Sequence, residues 1–74
     1  MRAMHPLKAH RKAFGLTQKE LADVLGVERE TVARWETGRL NIGTESLARV
    51  AEATGIPRAV LRPDLAEIMR EAAQ

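Results

Sequence analysis

The sequence predicts an all-α fold, with five helices packed as a single compact domain over residues 1–74. Apolar residues recur at spacings of three and four along the chain, which is the period of a helix with one buried face. No segment alternates β-branched or aromatic residues with polar ones, as a half-buried strand does. A chain of 74 residues has room for one small core, and such a core is marginal enough that pairing between chains would help.

Proline and glycine mark the first helix, which is predicted over residues 6–14. Pro6 suits the first position of a helix, and Gly15 suits the position just after its end. Leu7 and Phe14 are expected to face inward.

A capping box marks the start of the second helix. In T-Q-K-E, the Thr17 hydroxyl accepts from the Glu20 amide and the Glu20 carboxylate accepts from the Thr17 amide. Gly26 ends this helix, because glycine turns the chain with positive φ at no steric cost. The residues that the helix is expected to bury are Leu21, Ala22, Val24 and Leu25.

Two more helices follow, with the loop RLNIG between them. The third is predicted over about 28–37 and stops before Gly38. Thr44 is expected to cap the fourth, which runs over about 45–54 and ends before Gly55. The expected core residues of the fourth helix are Leu47, Val50 and Ala51.

Proline divides the last segment, residues 57–74. Pro57 opens a short turn carrying Leu61, and Pro63 forces Arg62 away from the helical region, so the fifth helix is a candidate for a break there. The part after Pro63 begins with D-L-A-E, a capping-box pattern starting at Asp64. Its apolar stripe consists of Leu65, Ile68, Met69 and Ala72.

Composition limits the kinds of protein that this can be. Cysteine is absent, which excludes disulfides and thiolate metal sites and fits a reducing cytosol. The N-terminus lacks the apolar stretch of a secretory signal, and no apolar run approaches the roughly 18 residues of a membrane span. A soluble cytoplasmic protein without membrane contact is expected.

Charge is unevenly placed along the chain. Residues 1–19 carry a net charge of +5 with no acidic residue, whereas residues 20–74 carry −3. This asymmetry favours an anionic partner near the N-terminal helix, with an ordinary solvated basic face as the alternative.

Catalysis has little support, and no metal or cofactor is expected. His5 and His10 are five residues apart, which does not align them on one helical face, and no acid lies near them in sequence. The single serine, Ser46, has no histidine near it in sequence. Core packing or dimerisation is expected of the amphipathic tail, which has too few basic residues for membrane binding.

The helices at 18–25 and 28–37 are joined by a three-residue turn and have the form of a helix-turn-helix motif spanning 18–37. Ala22 must be small because the second helix of the pair crosses close over it. Gly26 must turn the chain, and Val32 must fill the angle between the helices. All three at matching spacing indicate binding to double-stranded DNA.

Residues 7–61 resemble the Xre and Cro/phage-repressor helix-turn-helix family, through LTQKELADVLGVERETVARWETGR followed by TESLARVAEATGI. The resemblance implies a lambda-repressor-like domain whose third helix lies in the major groove while the second crosses the DNA backbone. The tail AVLRPDL also looks like small Cro-type regulators and antitoxins of prophage origin.

Helical phase selects the candidates for reading bases. Around 28–37, Val32 lies at the centre of the buried side, Glu30 and Arg34 lie opposite, and Arg29 projects from the first turn, the end that enters the groove in this family. Arginine at these positions recognises guanine O6 and N7. Glu30 is expected to pair with Arg34 at i+4 and to accept from cytosine, or to be merely solvated. In the family, the residue matching Gln18 often touches phosphate or base.

Contacts to phosphate are expected elsewhere. Thr17 and Gln18 begin the second helix, where unpaired amides and the helix dipole favour an anion. Lys12 and Lys19 add charge there, or are only solvated. The residues that match the family's contact loop after the third helix are Thr37, Gly38, Arg39, Asn41 and Thr44.

The other two glutamates of the third helix have separate explanations. Glu28 lies at its start, where a carboxylate favours the positive end of the dipole. The family commonly pairs a basic residue of the first helix with the acid matching Glu36, and Arg11 stands at that place. Two unpaired surface charges are the alternative. Trp35 and Phe14 are expected in the core rather than stacked on bases.

These observations predict a homodimeric, sequence-specific transcription regulator, most simply a repressor that binds an inverted repeat. The predicted dimer face lies after the fourth helix, and ordinary monomer core is the alternative for its residues. The candidates for that face are Leu61, Leu65, Ile68 and Met69. The alternative function is an antitoxin, which binds a toxin protein and regulates its own operon.

Overall fold

Six α-helices occupy most of residues 4–72, the part of the chain that the computed structural model describes; the side chains of Ala66 and of residues 69–72 lie outside that description. The predicted all-α class is confirmed, and the break at Pro63 makes six helices out of five. No helix among the described residues is long and apolar enough to cross a membrane. The helices are α1 (Pro6–Ala13), α2 (Gln18–Leu25), α3 (Arg29–Thr37), α4 (Thr44–Thr54), α5 (Arg58–Leu61) and α6 (Pro63–Ala72).

The start of α1 is capped by a histidine. Pro6 stands at the first helical position, as predicted, and the Leu7 amide donates to His5 Nδ1 at 3.1 Å. His5 thus satisfies one of the amides that every helix leaves unpaired at its start.

The helix-turn-helix region is held by its own capping groups. The capping box of α2 is present as predicted, with the Thr17 amide donating to Glu20 Oε1 at 2.8 Å and the Glu20 amide donating to Thr17 Oγ1 at 3.1 Å. Gly26 follows with φ of 70°, a left-handed conformation that suits glycine. Glu28 stands at the N-cap of α3 without a side-chain hydrogen bond, so its carboxylate acts there through charge alone.

Helices α1 to α5 each contribute buried side chains to one core. Trp35 is 3% exposed, as expected of a core aromatic, and Ile42 is 1% exposed although it lies in the loop after α3. Leu16, Val27, Ala51, Ile56 and Leu65 pack against this core. Its members are Leu7, Leu21, Ala22, Leu25, Val32, Trp35, Ile42, Leu47, Val50 and Leu61.

Two residues expected in the core are instead exposed, Phe14 at 69% and Val24 at 61%. Phe14 follows the last residue of α1, so helical phase no longer places it, and its ring lies 4.6 Å from the ring of His10. Val24 lies about 100° around α2 from the middle of the face formed by Leu21, Ala22 and Leu25, since successive residues turn by about 100°. Val24 lies three residues after Leu21, so a criterion of three- and four-residue spacing alone included it in the buried face.

Two predicted caps are wrong. Gly43 is the N-cap of α4, so Thr44 is the first helical residue and makes no capping hydrogen bond. Pro63 begins α6, which makes Asp64 its second residue, and the Asp64 carboxylate accepts from Arg62. Proline is favoured at the first helical position, and here it places the start of α6 two residues earlier than the D-L-A-E pattern did, since that pattern makes Asp64 the N-cap and Leu65 the first helical residue.

The predicted dimer face requires a correction. Leu61 is 4% exposed and belongs to the core, because α5 packs against α1 and α4. Leu65 is half-buried against the same core, whereas Ile68 is 59% exposed. The side chain of Met69 lies outside the described part of the chain.

The cap of α1 predicts a loss of stability in mild acid. Burial lowers the pKa of His5 from its ordinary value of 6.5, although the charge of Glu36 partly opposes this. The neutral imidazole is therefore favoured in the folded state, so its contribution is present above about pH 6.5 and is lost as pH falls through the lower folded pKa. Nδ1 can accept from Leu7 only while it is unprotonated.

We expect the melting temperature of the wild type to fall by a few degrees between about pH 7 and pH 5, where carboxylates contribute little. His5→Asn keeps an oxygen acceptor at the N-cap without a titrating ring, so its melting temperature should change less over this range. Equal pH dependence in the two proteins, measured by thermal unfolding, would show that His5 does not act in this way.

Candidate nucleic-acid interface

Helix α3 has one face in the core and one in solvent. Val32 is fully buried and Trp35 and Glu36 are nearly so. On the opposite side, the predicted base-reading residues Glu30 and Arg34 are exposed, and half-buried Ala33 lies beside them. Arg29 is also exposed, in the first turn of the helix. The predicted base-reading residues of α3 are therefore all open to solvent.

Close packing of α2 against α3 orients that surface. Ala22 is 1% exposed and Val32 is 0% exposed, and both belong to the core. After the left-handed Gly26, the Val27 amide donates to the Ala22 carbonyl at 3.0 Å, which closes the end of α2. Ala22 and Val32 are thus buried and Gly26 is left-handed, which agrees with what the motif requires of these positions.

A buried carboxylate joins α1, α2 and α3. The Glu36 side chain, 2% exposed, accepts from Arg11 Nε at 2.8 Å and from Arg11 Nη2 at 3.0 Å. Arg11 Nη1 also donates to the Leu16 carbonyl at 3.0 Å, and Gln18 Nε2 donates to Glu36 Oε1 at 3.2 Å. Arg11 and Glu36, which the family resemblance had placed opposite each other, form a bidentate ion pair.

The same network reaches the exposed start of α3. Gln18 Oε1 accepts from Arg29 Nη1 at 3.2 Å, while the amide nitrogen of Gln18 donates to Glu36. A carboxylate only accepts and a guanidinium only donates, so one orientation of the Gln18 amide satisfies both. Sequence reasoning had missed this contact, which links a buried charge to a predicted base-reading arginine.

The ion pair keeps Glu36 ionised. Burial by itself raises the pKa of a carboxyl group, but the hydrogen bonds from Arg11 and Gln18 and the charges of Arg11 and Lys8 outweigh it and hold the pKa of Glu36 below its ordinary value. Glu36 is therefore a permanent anion near neutral pH, and its charge is compensated inside the domain.

The predicted Glu30–Arg34 pair is wrong. Glu30 Oε1 instead lies 3.6 Å from Arg29 Nη2, and both side chains are more than half exposed, so the contact contributes little. Arg34 lies at a shallow open depression that it lines together with Ala33, Thr37 and Arg39. The structure thus brings Arg34 and Arg39 to one concave surface.

The predicted phosphate-binding residues differ in how free their polar atoms are. Arg39, Asn41, Thr44 and Lys12 are exposed, and the Thr17 hydroxyl oxygen already accepts from Glu20. The Thr37 hydroxyl donates to the Ala33 carbonyl at 3.1 Å within the helix. Lys19 Nζ is 3.4 Å from Asp23 on the same helix, and both side chains are largely exposed.

A family model described as "Helix-turn-helix" matches residues 7–61, which is more than half of the chain. The chain belongs to the lambda-repressor-like helix-turn-helix family. A protein of Methanothermobacter thermautotrophicus, named as an HTH-type transcriptional regulator, is 43% identical to it over 49 residues, covering 66% of this chain and 71% of that relative. No solved structure matches the chain significantly.

In this helix-turn-helix domain, one arginine that sequence reasoning had not singled out contacts the loop after α3. Arg62 Nη1 donates to the Ile42 carbonyl at 2.6 Å, and the same guanidinium contacts the Asp64 carboxylate. The sequence contains little indication of this contact. The position of Arg62 before a proline predicts its backbone conformation but not its hydrogen-bond partner, which lies 20 residues away.

The buried ion pair predicts a large loss of stability in Glu36→Ala. Removing one partner leaves the Arg11 charge uncompensated, at a cost of about 3–5 kcal/mol in the free energy of unfolding. In a domain of this size that corresponds to a fall in melting temperature of at least about 12 °C, or to loss of folding.

Two variants serve as controls in the same thermal unfolding experiment. Glu36→Gln retains one acceptor for Arg11 and should lose less stability, and Glu30→Ala removes an exposed carboxylate of the same helix and should change little. A melting temperature of Glu36→Ala within a few degrees of wild type would refute the role of the pair.

Proposed function

We propose that this protein is a sequence-specific transcription regulator that binds double-stranded DNA as a homodimer, most simply as a repressor that occludes a promoter. The observation that carries the proposal is the solvent-facing side of α3, which presents Arg29 and Arg34 while its other side is held in the core. Membership in the helix-turn-helix family and the named relative support DNA-binding transcription regulation in general.

The bases are read by side chains of α3 in this proposal. Arg29 and Arg34 each bind guanine O6 and N7 in the major groove, and each such bidentate contact discriminates by about 1–3 kcal/mol. Glu30 accepts from cytosine N4 and is unfavourable beside other base edges. Gln18, held by Glu36, supports Arg29 at the groove or contacts a base itself.

The DNA backbone is bound on both sides of α3. The free amides at the start of α2, together with Thr17 and Gln18, face one phosphate, since a helix N-terminus favours an anion. Arg39, Asn41 and Thr44 contact the backbone from the other side. The Thr37 hydroxyl lies beside them, and it donates to a phosphate only by giving up its hydrogen bond to the Ala33 carbonyl. Lys12 and Lys19 add positive charge near α2.

The dimer proposal rests on the exposed apolar side chains near the C-terminal end. Ile68 is 59% exposed on α6 and Val60 is 48% exposed on α5, and Leu65 lies half-buried near them in sequence. Two α3 helices related by a two-fold axis then enter successive major grooves roughly 34 Å apart, so half-site centres lie about 10 base pairs apart.

The antitoxin function remains a second candidate for the same surface. Exposed Ile68 and Val60 fit a partner protein as well as a second copy of this chain. A toxin-like reading frame next to the gene favours the antitoxin, whereas a divergent promoter next to it favours a regulator of the Cro type.

Selection of bound duplexes from a random DNA pool tests the function directly. We expect an inverted repeat whose half-site centres are about 10 base pairs apart, because the protein's symmetry is mirrored in its site. Enrichment of one asymmetric half-site contradicts the dimer, and the absence of any enriched sequence contradicts sequence-specific binding.

Two arginine variants test the proposed division between residues that contact bases and residues that contact phosphate. Arg34→Ala should relax specificity at one base position, whereas Arg39→Ala should weaken all sequences alike and lower the slope of log affinity against log salt by about one. Both are measured on the selected duplex and on a scrambled one, with Arg58→Ala as a control that removes an exposed arginine of α5. Identical behaviour of the first two variants would show that the division is wrong.

A further inference from the structure

Arg62 stands at the junction of α5 and α6, where it makes three hydrogen bonds. Its Nε and Nη2 donate to Asp64 Oδ1 at 3.0 Å and Asp64 Oδ2 at 2.8 Å, and its Nη1 donates to the Ile42 carbonyl at 2.6 Å. The side chain is 14% exposed, whereas that of Asp64 is 55% exposed. Arg62 thus reaches from the start of the C-terminal helix to the loop after α3.

That loop, residues 39–42, has few internal supports. Arg39, Leu40 and Asn41 are all exposed, and Ile42 alone is anchored in the core. Between described residues, two hydrogen bonds hold the loop backbone: the Leu40 amide donates to the Arg34 carbonyl at 3.2 Å, and Arg62 donates to the carbonyl of Ile42. Of these two hydrogen bonds, the one from Arg62 is donated by a residue outside the helix-turn-helix motif.

The geometry of the guanidinium makes this contact directional. A bidentate carboxylate holds the plane of the guanidinium, so the remaining N–H group has little freedom to turn. Pro63 adds to this by keeping the Arg62 backbone out of the helical region, at φ of −135° and ψ of 71°. The peptide group between Ile42 and Gly43 is therefore oriented against a fixed donor.

We propose that Arg62 is a positioning residue for DNA binding: held by Asp64, it fixes the loop of residues 39–42 in the conformation that brings Arg39 and Asn41 to the DNA backbone. The inference rests on the proposed function, in which that loop contacts phosphate. It assigns to the C-terminal part of the chain a role in the DNA interface that does not depend on direct contact with DNA.

Arg62→Lys tests the proposal without changing the net charge. Lysine is a single point cation on a flexible stem and cannot hold both the Asp64 carboxylate and the Ile42 carbonyl in this geometry. We expect affinity for the selected duplex to fall about threefold to tenfold and the salt slope to fall by about one, as when a phosphate contact is lost. Arg58→Lys, the same change four residues earlier in an exposed arginine, should match wild type.

A double variant separates positioning from general destabilisation. If Arg62 acts through the loop, Arg39→Ala should weaken binding less in the Arg62→Lys background than in wild type, because the two changes remove the same contact. Full additivity of the two changes, or Arg62→Lys binding like Arg58→Lys, overturns the proposal.

If Arg62→Lys does not fold, Asp64→Asn provides the test. This change releases the guanidinium from the carboxylate and raises the net charge by one. The added charge by itself strengthens DNA binding, so a weaker affinity would have to come from the altered loop. Affinity equal to or above that of wild type overturns the proposal.

Amide hydrogen exchange in the DNA-free protein distinguishes failure of the inference from failure of the proposed function. Faster exchange in the loop of Arg62→Lys, with unchanged exchange in α3, shows that Arg62 orders the loop, and unchanged exchange in the loop overturns the inference. If the loop loosens but neither wild type nor Arg39→Ala binds any duplex specifically, the proposed function fails, and the role of Arg62 in DNA binding fails with it.

Discussion

The buried carboxylate of Glu36 is the constraint on which the arrangement of the first three helices depends. A charge removed from water must find opposite charge and hydrogen-bond donors, and here these come from Arg11 on α1 and Gln18 on α2. Replacing such a pair with apolar residues of similar volume is often neutral or stabilising, so its net contribution to stability need not be large. The hydrogen bonds of Glu36 are directional, so they favour one relative placement of the three helices. Contacts between apolar side chains are less directional and restrict this placement less.

This constraint also explains how acidic residues coexist with a DNA-binding surface. Glu36 is compensated internally by Arg11, and Glu28 lies at the positive end of the α3 dipole. Glu30 is the acid of α3 that faces solvent on the side predicted to read bases, and it lies near Arg29. The surface therefore combines arginines with one exposed acid. Such a combination favours discrimination between bases over general affinity for a polyanion.

How well the sequence predicts a contact depends on how far apart its two residues lie along the chain. The capping box of Thr17 and Glu20 and the left-handed Gly26 were predicted because they involve neighbours in the chain. The predictions that Phe14 and Val24 are buried were wrong for two reasons: Phe14 follows the end of α1, where helical phase no longer applies, and three- and four-residue spacing does not fix the buried face of α2 closely enough to exclude Val24. The contacts of Arg62 with Ile42 and of Gln18 with Arg29 were not predicted, because such partners meet only once the tertiary arrangement exists. The assigned contacts with DNA remain predictions.

The burial of Leu61 limits which side chains of this domain are available for a dimer interface. Since Leu61 belongs to the core, the proposed pairing of two chains would have to use other side chains of the C-terminal segment. Ile68 is exposed on α6, and a polar residue there removes apolar surface from a partner without opening a cavity in the monomer. Because α6 begins at Pro63, directly after Arg62, a partner that moved α6 would also act on the Ile42 carbonyl and hence on the loop after α3. Pairing and DNA contact would then be coupled through Arg62, the single residue between α5 and α6.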